Sequence, residues 1–98
     1  QAGADALPVV AEALSDPSIE VRTNAVRTIA RIGGDAAIAP LIRALEDDAL
    51  AVRKRAERAL VGMGDAVLPA LTLAAEEGRP EAREELRRII DEIRRKGP

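Results

Sequence analysis

The sequence contains no cysteine, no histidine and no phenylalanine, tyrosine or tryptophan. Each absence removes some chemistry. Without thiol or imidazole there is no disulfide, no Cys or His metal site, no cysteine nucleophile and no Ser-His-Asp triad. Without aromatic rings there is no platform on which nucleic-acid bases could stack. Neither sign of charge dominates: 15 Lys and Arg face 17 Asp and Glu, a net −2. That balance argues against a general binder of nucleic acid or of a membrane surface. No apolar stretch approaches the roughly 20 residues of a membrane-spanning helix. No basic segment followed by an apolar one opens the chain. The expectation is a soluble chain of cytoplasmic type with no cofactor, no metal and no small-molecule substrate.

What is present suits one folded domain. Over 98 residues, 47% are hydrophobic and 33% charged, a balance unlike that of a disordered tail. A chain this short buries only a modest share of its surface, so its core must come from regular, closely spaced elements. Those elements repeat. Asp16-Pro17-Ser18-Ile19-Glu20-Val21-Arg22 aligns with Asp47-Asp48-Ala49-Leu50-Ala51-Val52-Arg53 at a register of 31 residues. The register continues through Ala25 and Ala56, Ile29 and Leu60, and Gly33 and Gly64. A third copy follows at a register of 30, with Ala82-Arg83 under Val52-Arg53 and Ile89-Ile90 under Ala59-Leu60. Ahead of each copy lies a second similar segment, at Ala6–Val10, Ala37–Leu41 and Ala66–Ala70.

Each segment reads as a helix. Val21, Ala25, Ile29 and Ile32 mark one face of a 3.6-residue period, as do Val52, Ala56, Ala59, Leu60 and Met63, and Ala82, Leu86, Ile89, Ile90 and Ile93. The 20 alanines favour helix over strand. Asp16 followed by Pro17 predicts an N-cap with proline at the first helical position, and Pro80 opens the last helix similarly. Asp35 and Asp65 are expected to cap helices after left-handed glycines at Gly33-Gly34 and Gly64. These signals predict helices at 5–15, 18–32, 35–46, 49–62, 65–77 and 80–95. Pro8, Pro40 and Pro69 recur near the start of each odd-numbered helix, pointing to a shared bend.

The segment Ala37-Ile38-Ala39-Pro40-Leu41-Ile42-Arg43-Ala44-Leu45-Glu46-Asp47-Asp48, followed by Val52-Arg53, Ala56, Ala59-Leu60 and Met63-Gly64-Asp65, resembles the HEAT-like repeat of the phycobilisome-lyase type. It also resembles artificial repeat proteins built on that family's consensus. The resemblance covers 5–95 and implies an all-α fold: a right-handed α-solenoid of three two-helix repeats, about 5–33, 34–64 and 65–96, in a single domain. The first helix of each repeat lines the convex face and the second the concave face. The third repeat departs from the pattern at Ala82 and at Gly78-Arg79-Pro80, and its charged surface fits a capping unit. Residues 1–5 read as the tail of an earlier repeat. The resemblance further implies a ladder between repeats made by Asp16 with Arg22, Asp47 with Arg53, and Glu77 with Arg83. Arginine's planar fork would hold two carboxylates there. The alternative for these residues is an acid at a helix start beside a solvated arginine.

No catalytic activity is expected. Asp47-Asp48 are adjacent acids at a helix start, where acids cap helices, and no nucleophile accompanies them. The bilin-lyase activity of some relatives does not follow from a shared repeat. The expected role is that of a scaffold or assembly module, with protein, or a second copy of the chain, as its partner. A restricted alphabet rich in alanine and arginine suits an engineered chain, whereas differences between copies at Asn24, Thr28, Met63 and Thr72 suit a natural one. On the concave face, Thr23, Asn24, Arg27, Arg31, Lys54, Arg55 and Arg58 form a basic stripe that turns acidic at Glu84 and Glu85, beside Arg88. Such a groove would receive an acidic peptide; the alternative is a solvated charged face. On the convex side, Leu73 beside Ala66 and Ala70 is a candidate self-association patch; the alternative is that the capping geometry buries Leu73, or that a single exposed leucine carries no contact.

Overall fold

The computed structural model describes residues 2–97, and among them there is no strand. Six α-helices follow one another: α1 (Ala2–Glu12), α2 (Ile19–Ile32), α3 (Asp35–Ala44), α4 (Leu50–Met63), α5 (Leu68–Glu77) and α6 (Pro80–Lys96). Short 3-10 turns follow α1 at Ala13–Ser15 and precede α5 at Gly64–Val67. Ala2 already belongs to α1, so that helix begins ahead of the expected residue 5. Gln1 lies outside the described residues.

Local chemistry sets the boundaries, not always through the residues expected. The Oγ of Ser18 accepts from the Val21 N–H at 3.3 Å and caps α2. Asp16 Oδ1 instead accepts from the Ser18 N–H at 2.8 Å, which fixes the turn before the helix and leaves Pro17 outside it. Asp35 is the first residue of α3 rather than its cap, and neither Asp35 nor Asp65 makes a capping bond. Their charge still lies at the positive end of a helix. Gly33 and Gly64 do end α2 and α4 with φ of 68° and 71°, a conformation L side chains resist. Gly78 is needed for another reason: a Cβ there would sit 2.8 Å from the Ala74 carbonyl oxygen.

The three recurring prolines do not share one environment. Pro8 lies exposed within α1, Pro40 lies buried within α3, and Pro69 is the second residue of α5. Only at Pro69 does the helix type change, from 3-10 to α, just ahead of the ring.

The helices form two layers. α1, α3 and α5 lie side by side in one, and α2, α4 and α6 in the other, with each pair packed across the layers. Between them runs a continuous aliphatic core that includes Leu7, Val26, Ile29, Leu41, Val52, Leu60, Val67, Leu71, Ile89 and Ile93. Ala56 and Ala75 are buried with it, and their small side chains let the helices approach closely. Val21 departs from the expected stripe: it is 39% exposed, while its counterpart Val52 is fully buried. α4 has a neighbour in its layer on either side, α2 and α6, whereas α2 has one only. The stack measures 31 × 29 × 21 Å. Its longest dimension is little more than the roughly 25 Å of a 17-residue helix such as α6.

The most apolar helical run, Leu50–Glu77, reaches a mean hydropathy of 1.4 over 18 residues. The backbone turns within it at Gly64, splitting it into a 14-residue and a 10-residue α-helix. Each is shorter than the roughly 20 residues a straight membrane span requires.

Candidate functional site

The connections between repeats carry the most specific polar geometry. Arg22 donates from Nε to Asp47 Oδ2 at 2.9 Å and from Nη2 to Asp47 Oδ1 at 3.2 Å, a bidentate pair between the first and second repeats. Its Nη1 turns back to the carbonyls of Asp16 and Pro17, at 2.8 and 3.1 Å. One planar guanidinium thus ties its own loop to the next. Asp47 Oδ1 also accepts from the Ala49 N–H at 2.8 Å, which shapes the turn into α4. Burial pushes the Asp47 carboxyl up, but the Ala49 N–H and the Arg22 guanidinium, with the Arg53 charge behind them, outweigh it and hold the group below its ordinary value.

The same backbone clamp recurs one repeat on. Arg53 Nη1 donates to the carbonyls of Asp47 and Asp48 at 2.7 and 3.0 Å. There the ladder stops. Among the described residues Arg53 and Glu77 form no ion pair, and Glu77 is exposed. Arg83 donates to the carbonyls of Ala75 and Gly78 instead. Asp16, the first acid of the expected ladder, contributes its backbone carbonyl to Arg22 and its carboxylate to Ser18. The close turn at Gly78 replaces the Asp-containing turn of the earlier repeats, so the third rung has no equivalent partner.

The α2–α4–α6 layer brings some of the sequence-nominated residues together and separates others. Arg27 and Arg31 of α2 and Arg55 and Arg58 of α4 line one groove of about 400 Å³, floored by Ala30 and Ala59. None of these four arginines pairs with a carboxylate among the described residues. A second groove, between α4 and α6, is lined by Lys54, Arg58 and Val61 on one side and Glu92 and Lys96 on the other. Asn24 is exposed, while the Thr23 hydroxyl is engaged with the Ile19 carbonyl at 2.9 Å. Glu84 is exposed on α6. Glu85 faces a different cleft, shared with Ile42 and Leu45 of α3 and Ala74 of α5, and takes Arg88 at 3.0 Å. Arg88 therefore pairs with the acid three residues before it. Of the acidic residues expected to continue the basic stripe, Glu85 thus lines a cleft apart from the α2–α4 groove.

Glu57 was not nominated, yet it is the most unusual residue of this layer. One register of 31 back stands Val26, fully buried between the layers. The Glu57 Oε1 is buried with no hydrogen-bond partner, and Lys54 Nζ lies 3.8 Å away. Aligning the copies at that register would have found it.

On the other layer Leu73 is 53% exposed. With Ile38, Ala39, Ile42, Ala70 and Ala74 it lines a groove of about 380 Å³ between α3 and α5. Ala66 is exposed but lies outside that lining. Among the described residues no three carboxylates converge as a metal site would need.

Paired helices in two layers, repeated at a near-constant register and tied by an arginine at each turn, define the chain's kinship. The family model for HEAT repeats matches residues 6–91. The chain belongs to the HEAT-repeat family. No curated protein matches it. HEAT repeats generally serve as scaffolds for protein interaction.

Proposed function

We propose that this HEAT-repeat protein is a non-enzymatic interaction scaffold that receives a protein partner on its α2–α4–α6 layer. The observation that carries the reading is the groove where Arg27, Arg31, Arg55 and Arg58 converge without a carboxylate of their own. Paired, such arginines would be ordinary surface salt bridges worth little. Left unpaired around one groove, they hold a positive field that a partner of opposite charge would complete. Neither phosphate binding along a strand nor catalysis is required of it. An engineered origin, supported by the restricted alphabet, leaves the reading unchanged because it rests on side-chain placement.

A second reading, self-association through the other layer, is favoured by one observation: exposed Leu73 beside Ile38, Ile42 and Ala70 in an apolar groove. Photo-crosslinking side chains placed at Arg58 and at Leu73 separate the two readings. Adducts of a different protein formed from position 58, with none from position 73, support the scaffold reading. Adducts of twice the chain mass from position 73 alone overturn it in favour of a homo-oligomer. Sedimentation of the wild type and Leu73→Glu gives a second check, since one monomer mass for both excludes self-association there.

A further inference from the structure

We infer that the α2–α4 groove is specific for an acidic helical segment of a partner protein whose carboxylates stand one helical turn apart. The inference rests on the scaffold reading above and adds the chemistry and geometry of what is bound. Arg27 and Arg31 are four residues apart on α2, and Arg55 and Arg58 three apart on α4. On a helix both spacings bring side chains onto the same face, about 5–6 Å apart. Each wall therefore carries two guanidiniums at consecutive turns. Arginine binds carboxylates through a planar pair of donors, and at the 31-residue register Arg58 stands opposite Arg27, with Arg55 one turn before that level and Arg31 one turn beyond it, so forks are offered at three successive turns.

The floor decides the shape of the ligand. Ala30 and Ala59 are the small residues between the two walls. A third helix seated over them can approach closely, laying its own small residues on the methyl groups. Acids at positions i and i+4 on that helix repeat the spacing of the arginines on the walls. A nucleic-acid backbone fits less well. Residues 1–49, which include α2, carry 4 basic against 8 acidic residues, and residues 50–98, which include α4, carry 11 against 9, so the balance of charge offers an extended polyanion little beyond the groove. The lack of aromatic residues removes the stacking that would compensate.

The test is a titration of the full chain against labelled synthetic peptides, read by fluorescence anisotropy. One peptide is alanine-rich with glutamates at i and i+4. A second has the same composition with the glutamates scrambled off that face, and a third has glutamine in their place. A DNA oligonucleotide is the fourth probe. The first peptide is expected to bind, more weakly as salt is raised. The scrambled peptide should bind at least about tenfold more weakly, and the glutamine peptide not measurably. Arg27→Glu and Arg58→Glu, both at exposed positions, should abolish binding while leaving the circular dichroism melt unchanged. Arg31→Lys keeps the charge but loses the fork and should weaken it. Equal binding of the scrambled or glutamine peptide overturns the inference, as does binding unaffected by Arg58→Glu or tighter binding of DNA. If every peptide fails while crosslinks to a partner protein still form at position 58, the ligand chemistry is wrong and the scaffold reading stands.

Discussion

At the scale of the residue, Arg22 and Asp47 are the pair whose removal should be felt most. Their side chains are 15% and 11% exposed, and each makes several charge-assisted bonds. Arg22→Ala or Asp47→Ala should cost about 1–3 kcal/mol in urea unfolding. Glu77→Ala, at the exposed acid with no ion-pair partner among the described residues, should change stability by no more than about 0.5 kcal/mol. The depressed pKa of Asp47 gives the first effect a pH dependence. A carboxyl whose folded pKa lies below its unfolded value contributes its stability at higher pH and loses it as pH falls through the folded value. Asp47→Asn should therefore flatten the acid limb of the stability curve, while leaving the slope near neutrality unchanged. Two glycines make an opposed pair. Gly62→Ala, inside α4 with open space at the Cβ, should stabilise by about 0.5–1 kcal/mol. Gly78→Ala, facing the Ala74 carbonyl at 2.8 Å, should destabilise by about 1–3 kcal/mol. Paired thermal melts read both signs directly.

At the scale of the element, the helices were legible because their periodicity and punctuation agree. Gly33, Gly64 and Pro80 stand where the chain turns, and α2, α4 and α6 each extend within two residues of expectation. The finer signals competed with one another. Asp16 and Ser18 both offer oxygens near the start of α2, and sequence alone does not say that Ser18 reaches the helix while Asp16 holds the turn. The prolines share a sequence position but not an environment, since Pro40 is buried and Pro8 and Pro69 are not. Glu57 is the element-scale conflict. It places a carboxylate on α4 where α2 has the buried Val26, and one oxygen is left unbonded. Glu57→Val should raise stability by about 1 kcal/mol, measured by denaturant midpoint, because a buried oxygen with no hydrogen bond and only a 3.8 Å ion pair to exposed Lys54 gives way to an apolar side chain like Val26.

At the scale of the whole molecule, no repeat owns its core. Ile29 and Leu60 are fully buried, and they sit in one cluster with residues of every repeat. Ile29→Ala or Leu60→Ala should cost about 2–5 kcal/mol, a large part of the roughly 5–15 kcal/mol typical of a domain. Residues 34–64 expressed alone expose two apolar faces that neighbours otherwise cover. They should show no cooperative melt by circular dichroism, unlike the full chain. The candidate surface was half legible at this scale. Arg27, Arg31, Arg55 and Arg58 were identified by their register and do share a groove. Glu84, Glu85 and Arg88 were placed beside them by the same register, but Glu85 turns to a separate cleft.

Helical class, repeat register, turn glycines and the residues of the basic stripe were all determined by the order of amino acids, because periodicity and backbone chirality act over a few neighbouring positions. Which arginine takes which carboxylate, which cleft Glu85 lines, and which apolar side chains stay wet were decided only by the tertiary structure. Those outcomes depend on how α6 sits against α3, α4 and α5, and a repeat aligned on paper cannot express a difference in packing between one copy and the next.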